Sequence, residues 1–248
     1  MKIERNLKVL PWLVLAAGAL GFALYLWLMG TENDKGFINK FHISAILLLI
    51  LTGIVVVGLL YVAYRLTQVK QSDVHFPASY WSALGAWLAA VGVGVTSVLE
   101  VFQATDFLQL MACLCGVAAA LALLFVGNCR RVGKKSNVLA YAVICGYFML
   151  HLICMYRHWG ARPQLYDYCF QLLAVVCAML ATYHRANFDV DCGKRGPYIY
   201  FSLLTLFFCV ICLGDGPLYK GIGLWTLMEL YSVALVFVNV QEATDEAG

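Results

Sequence analysis

Eight long apolar runs govern what this chain can fold into. They lie at roughly 9–29, 42–64, 78–100, 106–127, 137–156, 166–183, 198–213 and 218–240. A helix needs about 20 largely apolar residues to cross the hydrocarbon core of a bilayer. The runs are continuously apolar, which argues against the alternating strands of a membrane barrel. The segments at 166–183 and 198–213 are short, and their ends are the least defined. Composition points the same way. The chain is 62% hydrophobic and 12% charged, with a mean hydropathy of +0.80. Soluble domains carry about 25% charged residues, so in water this chain would expose a mostly apolar surface. The expected fold class is all-α: a polytopic integral membrane protein of eight transmembrane helices. It is expected to form one transmembrane domain over 1–248, with no soluble domain.

The N-terminus is basic from Met1 to Lys8 and runs into the first apolar stretch. That stretch is longer than the roughly 7–15 apolar residues of a signal peptide, and no clear small-residue cleavage site follows. It is expected to be an uncleaved first helix. The N-terminus and the loops after spans two, four and six carry twelve basic residues, including Arg65, Arg130, Arg131, Lys134, Lys135 and Arg185. The remaining loops carry five: Lys35, Lys40, Arg157, Arg162 and Lys220. The positive-inside rule then puts both termini in the cytoplasm, with the protein in the plasma membrane. In this reading Arg65, Arg130 and Arg185 mark where spans leave the bilayer. Net charge is only +3, which gives no case for nucleic acid as a partner.

Three stretches read alike: Phe41-His42-Ile43-Ser44-Ala45, Leu108-Gln109-Leu110-Met111-Ala112 and Phe170-Gln171-Leu172-Leu173-Ala174. Each has a large polar side chain one step inside an apolar segment. Pro11, Pro77 and Pro197 open odd-numbered spans, where the missing N–H of proline costs nothing. The pattern predicts four tandem helical hairpins in one orientation around a shared axis. Most of the ten cysteines fall in apolar runs and act there as small hydrophobes; Cys154 and Cys169 are the candidate pair for a disulfide at the outer face. Gly92 with Gly94, and Gly221 with Gly223, supply small faces for close helix packing.

Ionisable groups inside a span are costly and generally face the bundle interior. Glu229 is the sharpest case, about 11 residues into the eighth span and so near the midplane, with Trp225 one turn away on the same face. Glu100, Gln109, His151 and Gln171 sit in the outer halves of their spans, as does His42. Together these residues predict a ligand-binding cavity open to the outside, lined by His42, Glu100, Gln109, His151 and Gln171, with Trp225 and Glu229 at its floor. Arg157, His158, Arg162, Asp106 and Asp215 read as interfacial groups, and Asp189-Val190-Asp191 as a solvated loop pair. His42, His151, Glu100 and Glu229 are of metal-ligating type, but no tight ligand spacing supports a metal or a haem, and no cofactor is specified. Walker, His-Glu-x-x-His, Gly-x-Ser-x-Gly and dinucleotide signatures are absent, so the chain reads more as a non-enzyme. The leading reading is binding or transport of a small polar or cationic solute from the extracytoplasmic side. The alternative is a sensor or assembly subunit that docks a protein partner, or a second copy of itself, through basic loops such as Arg130-Arg131-Val132-Gly133-Lys134-Lys135. The lipid bilayer is the one partner common to both.

Overall fold

A computed structural model describes residues 9–30, 42–67, 78–102, 104, 106–159 and 168–245; the side chains are described as far as 65, 157 and 231 in the second, fifth and eighth helices. Pro77, Gln103, Arg162 and the outer turn at 163–167 lie outside these residues, and the His158 side chain lies outside the described side chains. All regular structure among the described residues is helical: α1 (Leu10–Met29), α2 (Ile43–Thr67), α3 (Tyr80–Val101), α4 (Phe107–Val132), α5 (Val138–Trp159), α6 (Cys169–Asp189), α7 (Arg195–Ile211) and α8 (Pro217–Asp245). The helices α1 to α6 are each long and apolar enough to cross a membrane. The 17 residues of α7 make it the shortest helix. Helices satisfy their own backbone hydrogen bonds, the condition hydrocarbon imposes on any spanning segment.

Consecutive helices pack as antiparallel pairs, but the four pairs do not share one axis. Helices α3 to α8 form a ring, each touching its sequence neighbours and α8 closing back onto α3. The α1–α2 hairpin lies outside this ring and leans mainly on α7. The expectation of four equivalent hairpins is corrected to three in a ring and one beside it. The reason is visible in α7. Its apolar residues run all round the helix, as a fully enclosed helix requires, and it is buried along most of its length by α1, α2, α6 and α8. Gly18 and Gly21 of α1 let that helix approach Val210 and Ile211 directly. By contrast, α2 keeps only 22% of its most apolar window buried, and Ile46, Leu49, Ile50, Ile54 and Val57 face outward.

Helices α4 and α6 run on past the ends that their hydropathy suggests. Span four was expected to end at 127 and span six at 183, yet α4 continues to Val132 and α6 to Asp189. Arginines at the end of a hydrophobic window truncate a hydropathy reading. They do not truncate a helix whose guanidiniums find partners inside the protein. The last turn of α4 closes on Gly133, whose φ of 73° and N–H bond to the Arg130 carbonyl form a left-handed cap. One end of the ring therefore carries the last turns of α4 and α6 and the first turns of α3, α5 and α7; it is called the basic end here. Cys154 and Cys169, near the opposite end, are not joined in a disulfide.

The ring closes along an antiparallel seam between α3 and α8. Gly92 lies against Gly221, and Gly85 against Trp225 and Met228. A Cβ on Gly92 would come within 2.8 Å of the Pro217 carbonyl and 3.2 Å of the Gly221 Cα, both backbone atoms that cannot turn aside. Small residues at such a seam allow the backbones to approach and gain dispersion contacts. Gly92→Ala is expected to destabilise the protein by about 1–3 kcal/mol through overpacking, seen as a lower melting temperature in detergent. Gly53→Ala, where the added methyl meets nothing within 4 Å, is expected to leave it unchanged. Equal melting of the two variants would show that the seam does not hold the ring closed.

Candidate functional site

The seam ends in charge. Ser79 caps α3 by accepting a hydrogen bond from the Ser82 backbone N–H at 3.3 Å, and its own N–H donates to the Arg130 carbonyl at 3.1 Å. The first turn of α3 is thereby fixed against the last turn of α4. Ser82 then donates to Glu229 Oε2 from within that first turn. Arg130 Nη2 donates to Glu229 Oε1, and Arg130 Nε to the Ser82 hydroxyl at 3.3 Å. From the other side, Arg185 Nε donates to the same Oε1 at 3.0 Å. Its Nη1 donates at 3.2 Å to Asp189, one turn further along α6. Asp189 also accepts from the Tyr141 hydroxyl at 2.9 Å and from the Ser136 backbone N–H at 3.2 Å. Arg130, Arg185 and Glu229 are each at most 5% exposed.

The helix dipoles reinforce this arrangement. A carboxylate gains near a helix N-terminus and a guanidinium near a helix C-terminus. Glu229 faces the first turn of α3, Arg130 sits in the last turn of α4, and Arg185 lies one turn before the end of α6. Two positive and two negative side chains make the cluster neutral overall. Removing water from charges is tolerated only when they are balanced and hydrogen-bonded in this way.

A small cavity adjoins the cluster between α6, α7 and α8. Its lining comes from one face of each helix: Ala178, Ala181, Thr182 and Arg185; Tyr198 and Ser202; Ile222, Trp225, Thr226 and Glu229. About 20 Å³ of it is open to the centre of a water-sized molecule, room for one or two waters. Thr182 and Thr226 donate their hydroxyl protons to the carbonyls of Ala178 and Ile222, 2.7 and 2.8 Å away.

Of the residues expected at the site, Trp225 and Glu229 line this cavity and the other five do not. The depth of Glu229 is the first correction. It is level with the first turn of α3, the last turn of α4 and the penultimate turn of α6, toward the basic end of the ring. The single outer cavity is the second. His42 lies on the peripheral hairpin, edge-on to Trp27 at 5.5 Å and bonded through Nδ1 to Ser44 Oγ at 2.7 Å, so it cannot reach the ring interior. Gln171 lies beside Asp215 at the end opposite the basic one. Gln109 is half-buried in the first turn of α4. Glu100 and His151 do meet, with Oε1 and Nδ1 3.8 Å apart, but between α3 and α5 near that opposite end.

Sequence reasoning missed Arg130, Arg185, Asp189, Ser82 and Tyr141. Both arginines were assigned to topology and Asp189 to a solvated loop; the Asp189 side chain is 6% exposed, whereas that of Asp191, two residues on, is open and paired with Lys135 at 2.6 Å. The signal that finds the arginines is Glu229 itself. A carboxylate buried in a helical bundle demands cations, and the arginines at the ends of spans four and six are the nearest candidates. Among the described residues, no three His, Cys, Asp or Glu side chains are grouped to hold a metal ion.

Removing one partner from this cluster should be severe. Glu229→Leu leaves two buried guanidiniums facing each other and is expected to cost about 3–5 kcal/mol, measured by denaturant unfolding in mixed micelles. Arg185→Met should also destabilise, and the double variant should lose clearly less than the two single losses added together, because the pair interacts directly. Strict additivity would mean that Arg185 and Glu229 do not depend on one another. Comparison with protein families, with curated proteins and with solved structures finds no match for this chain.

Proposed function

We propose that the chain is a multi-pass membrane protein that binds a small polar solute inside the ring of α3 to α8 and takes part in moving it across the bilayer. The observation that carries this reading is the cavity between α6, α7 and α8. It is bounded by two charged groups, several hydroxyls and one indole, a mixture suited to fixing a small polar molecule. A static structural role accounts for the ion cluster alone. It gives no reason for an adjoining cavity walled by Ser202, Thr182 and Thr226.

The protein is proposed to lie in the plasma membrane with the basic end, and both termini, in the cytoplasm, following the twelve-to-five distribution of basic residues. In this orientation the cavity lies toward the cytoplasm. Loading from the extracytoplasmic side, as the sequence suggested, loses its support with the dispersal of His42, Glu100, Gln109, His151 and Gln171. A free cation is the weaker ligand, because Glu229 already faces two guanidiniums. The alternative of partner docking through the basic loop is weakened too. Arg130 points into the ring and Lys135, though exposed, is paired with Asp191; Arg131 and Lys134 are the other exposed charges of that run.

Thermal unfolding of the purified protein across a panel of small metabolites tests the reading. A ligand at 100 times its Kd adds about 2.7 kcal/mol of stability, so at least one compound should raise the melting temperature by several degrees. Thr226→Ile, which fills the cavity without touching the ion cluster, should abolish that rise. A panel without effect, or a rise unchanged in Thr226→Ile, would end the proposal for this cavity. Orientation is tested at Cys192, which is exposed at the basic end. In a variant keeping this cysteine alone, a membrane-impermeant maleimide should react in inverted vesicles and not in intact cells; the reverse result would invert the topology.

A further inference from the structure

The charge balance of the cluster restricts what the cavity can accept. Arg130 and Arg185 are offset by Glu229 and Asp189, and the four are joined by hydrogen bonds. A neutral ligand leaves that balance intact and is held by the guanidinium through hydrogen bonds alone, without the charge assistance that a carboxylate gains. A cation adds a third positive charge next to Arg185. An anion adds a third negative charge, unless a proton enters with it. Of the two carboxylates, Asp189 is held by Arg185, the Tyr141 hydroxyl and the Ser136 N–H, and it does not line the cavity. Glu229 does line it, beside Arg185.

We infer that the solute held between α6, α7 and α8 is a small monocarboxylate that binds together with one proton, the proton going to Glu229 and the ligand carboxylate taking its place on Arg185. This rests on the solute-binding reading above and names its substrate class. The proton comes from solvent and forms an O–H bond on Glu229; no other covalent bond changes, and the site remains neutral. The groups facing Glu229 fit both states. Ser82 from α3 accepts from Arg130 and has a hydroxyl that turns with the protonation of its partner. Arg130 from α4 stays bonded to Ser82. Arg185 and Asp189 from α6 keep their own contact. Tyr141 from α5 stays on Asp189, and Tyr198 from α7 borders the cavity.

Donors for the ligand are Arg185 and the hydroxyls of Tyr198 and Ser202, one helical turn apart on α7. Thr182 and Thr226 turn their protons to their own backbones. The lining also includes apolar side chains, Ile222, Trp225 and Ala178. A carboxylate with a short apolar tail matches that division. The 20 Å³ now open must widen to admit it, and the small side chains of Ala178, Ala181 and Ser202 are where the walls have room to part.

The test is calorimetric titration of the purified protein with propionate, propylamine and propionamide, each in two buffers of different ionisation enthalpy. Propionate is expected to bind with uptake of about one proton, and its affinity to fall about tenfold for each pH unit of rise above neutrality. Glu229→Gln should bind propionate with no proton uptake and no such pH dependence. Propionate binding to the wild type without proton uptake overturns the inference, and that count decides it even if Glu229→Gln does not fold. Binding of propylamine or propionamide in place of propionate overturns the inference and leaves the solute reading standing. No binding of the three, together with no stabilisation by any compound of the metabolite panel, removes both.

Discussion

A carboxylate cut off from water has to be neutralised where it lies, and the placing of Glu229 dictates much of this protein. Its desolvation alone would cost several kcal/mol. The chain answers with contacts drawn from α3, α4 and α6, and with two further helices supporting those: Tyr141 of α5 orients Asp189, and Tyr198 of α7 covers the adjoining cavity. Each helix of the ring thus contributes a polar side chain at or beside one point. Apolar helices in a lipid solvent gain little by choosing one neighbour over another. A polar junction shared by a whole ring supplies that choice, since a helix in the wrong place would leave a buried charge without its partner. The glycine seam from Gly92 and Gly221 to Gly85 and Trp225 then works together with the junction. It brings α8 close enough to α3 for Glu229 to reach Ser82.

The fold was legible in outline because apolar length is a strong signal. The all-helical class and the positions of the helices follow from runs such as 42–64 and 106–127. Helix ends were less legible where charge and helix coincide. Asn128, Cys129, Arg130 and Arg131 read as a loop because their hydropathy is low, yet they continue α4 to its Gly133 cap. The same holds for His184 to Asp189 at the end of α6. The arrangement in space was not legible at all from repeats. The matches at His42, Gln109 and Gln171 are local similarities among helix starts. They carry no information on which helices become neighbours, and the enclosure of α7 by the first hairpin comes from the close approach of Gly18 and Gly21.

Part of the candidate site was legible for a physical reason and part was hidden for one. Glu229 stands out because a carboxylate twelve residues into an apolar helix has no bland explanation. Trp225 comes with it through helical spacing. Arg130 and Arg185 were hidden by a rule that is correct on average: basic residues do gather at the cytoplasmic ends of spans. The rule describes where charge accumulates and says nothing about which way a given side chain turns. Arg131, next to Arg130, is exposed, while Arg130 is 5% exposed and paired. One step of 100° around the helix separates a topology marker from a structural cation. The outer polar residues failed in the opposite sense. His151 is buried while Glu100 and Gln171 are only partly so, and each lies by a local partner, one another or Asp215.

The cluster also links charge to shape. On one side Glu229 is tied to α3 and α4 through Ser82 and Arg130; on the other it is tied to α6 through Arg185. A single carboxylate therefore bridges two sectors of the ring, and neutralising it weakens both ties at once. Farther along the ring, toward the opposite end, the interior is closed by aromatic and aliphatic side chains, among them Tyr147, Phe148, Phe207 and Phe208, each at most 2% exposed. Packed interiors of this kind change between discrete arrangements and resist gradual widening. Titratable groups also adjoin this packing: the His151 ring lies 5.6 Å from that of Tyr147, with Glu100 3.8 Å from its Nδ1, so polar contacts are made toward both ends of the ring. Glu229 differs from that pair in joining α8 to α3, α4 and α6 at once, and α8 and α6 share both the Arg185 contact and the walls of the cavity.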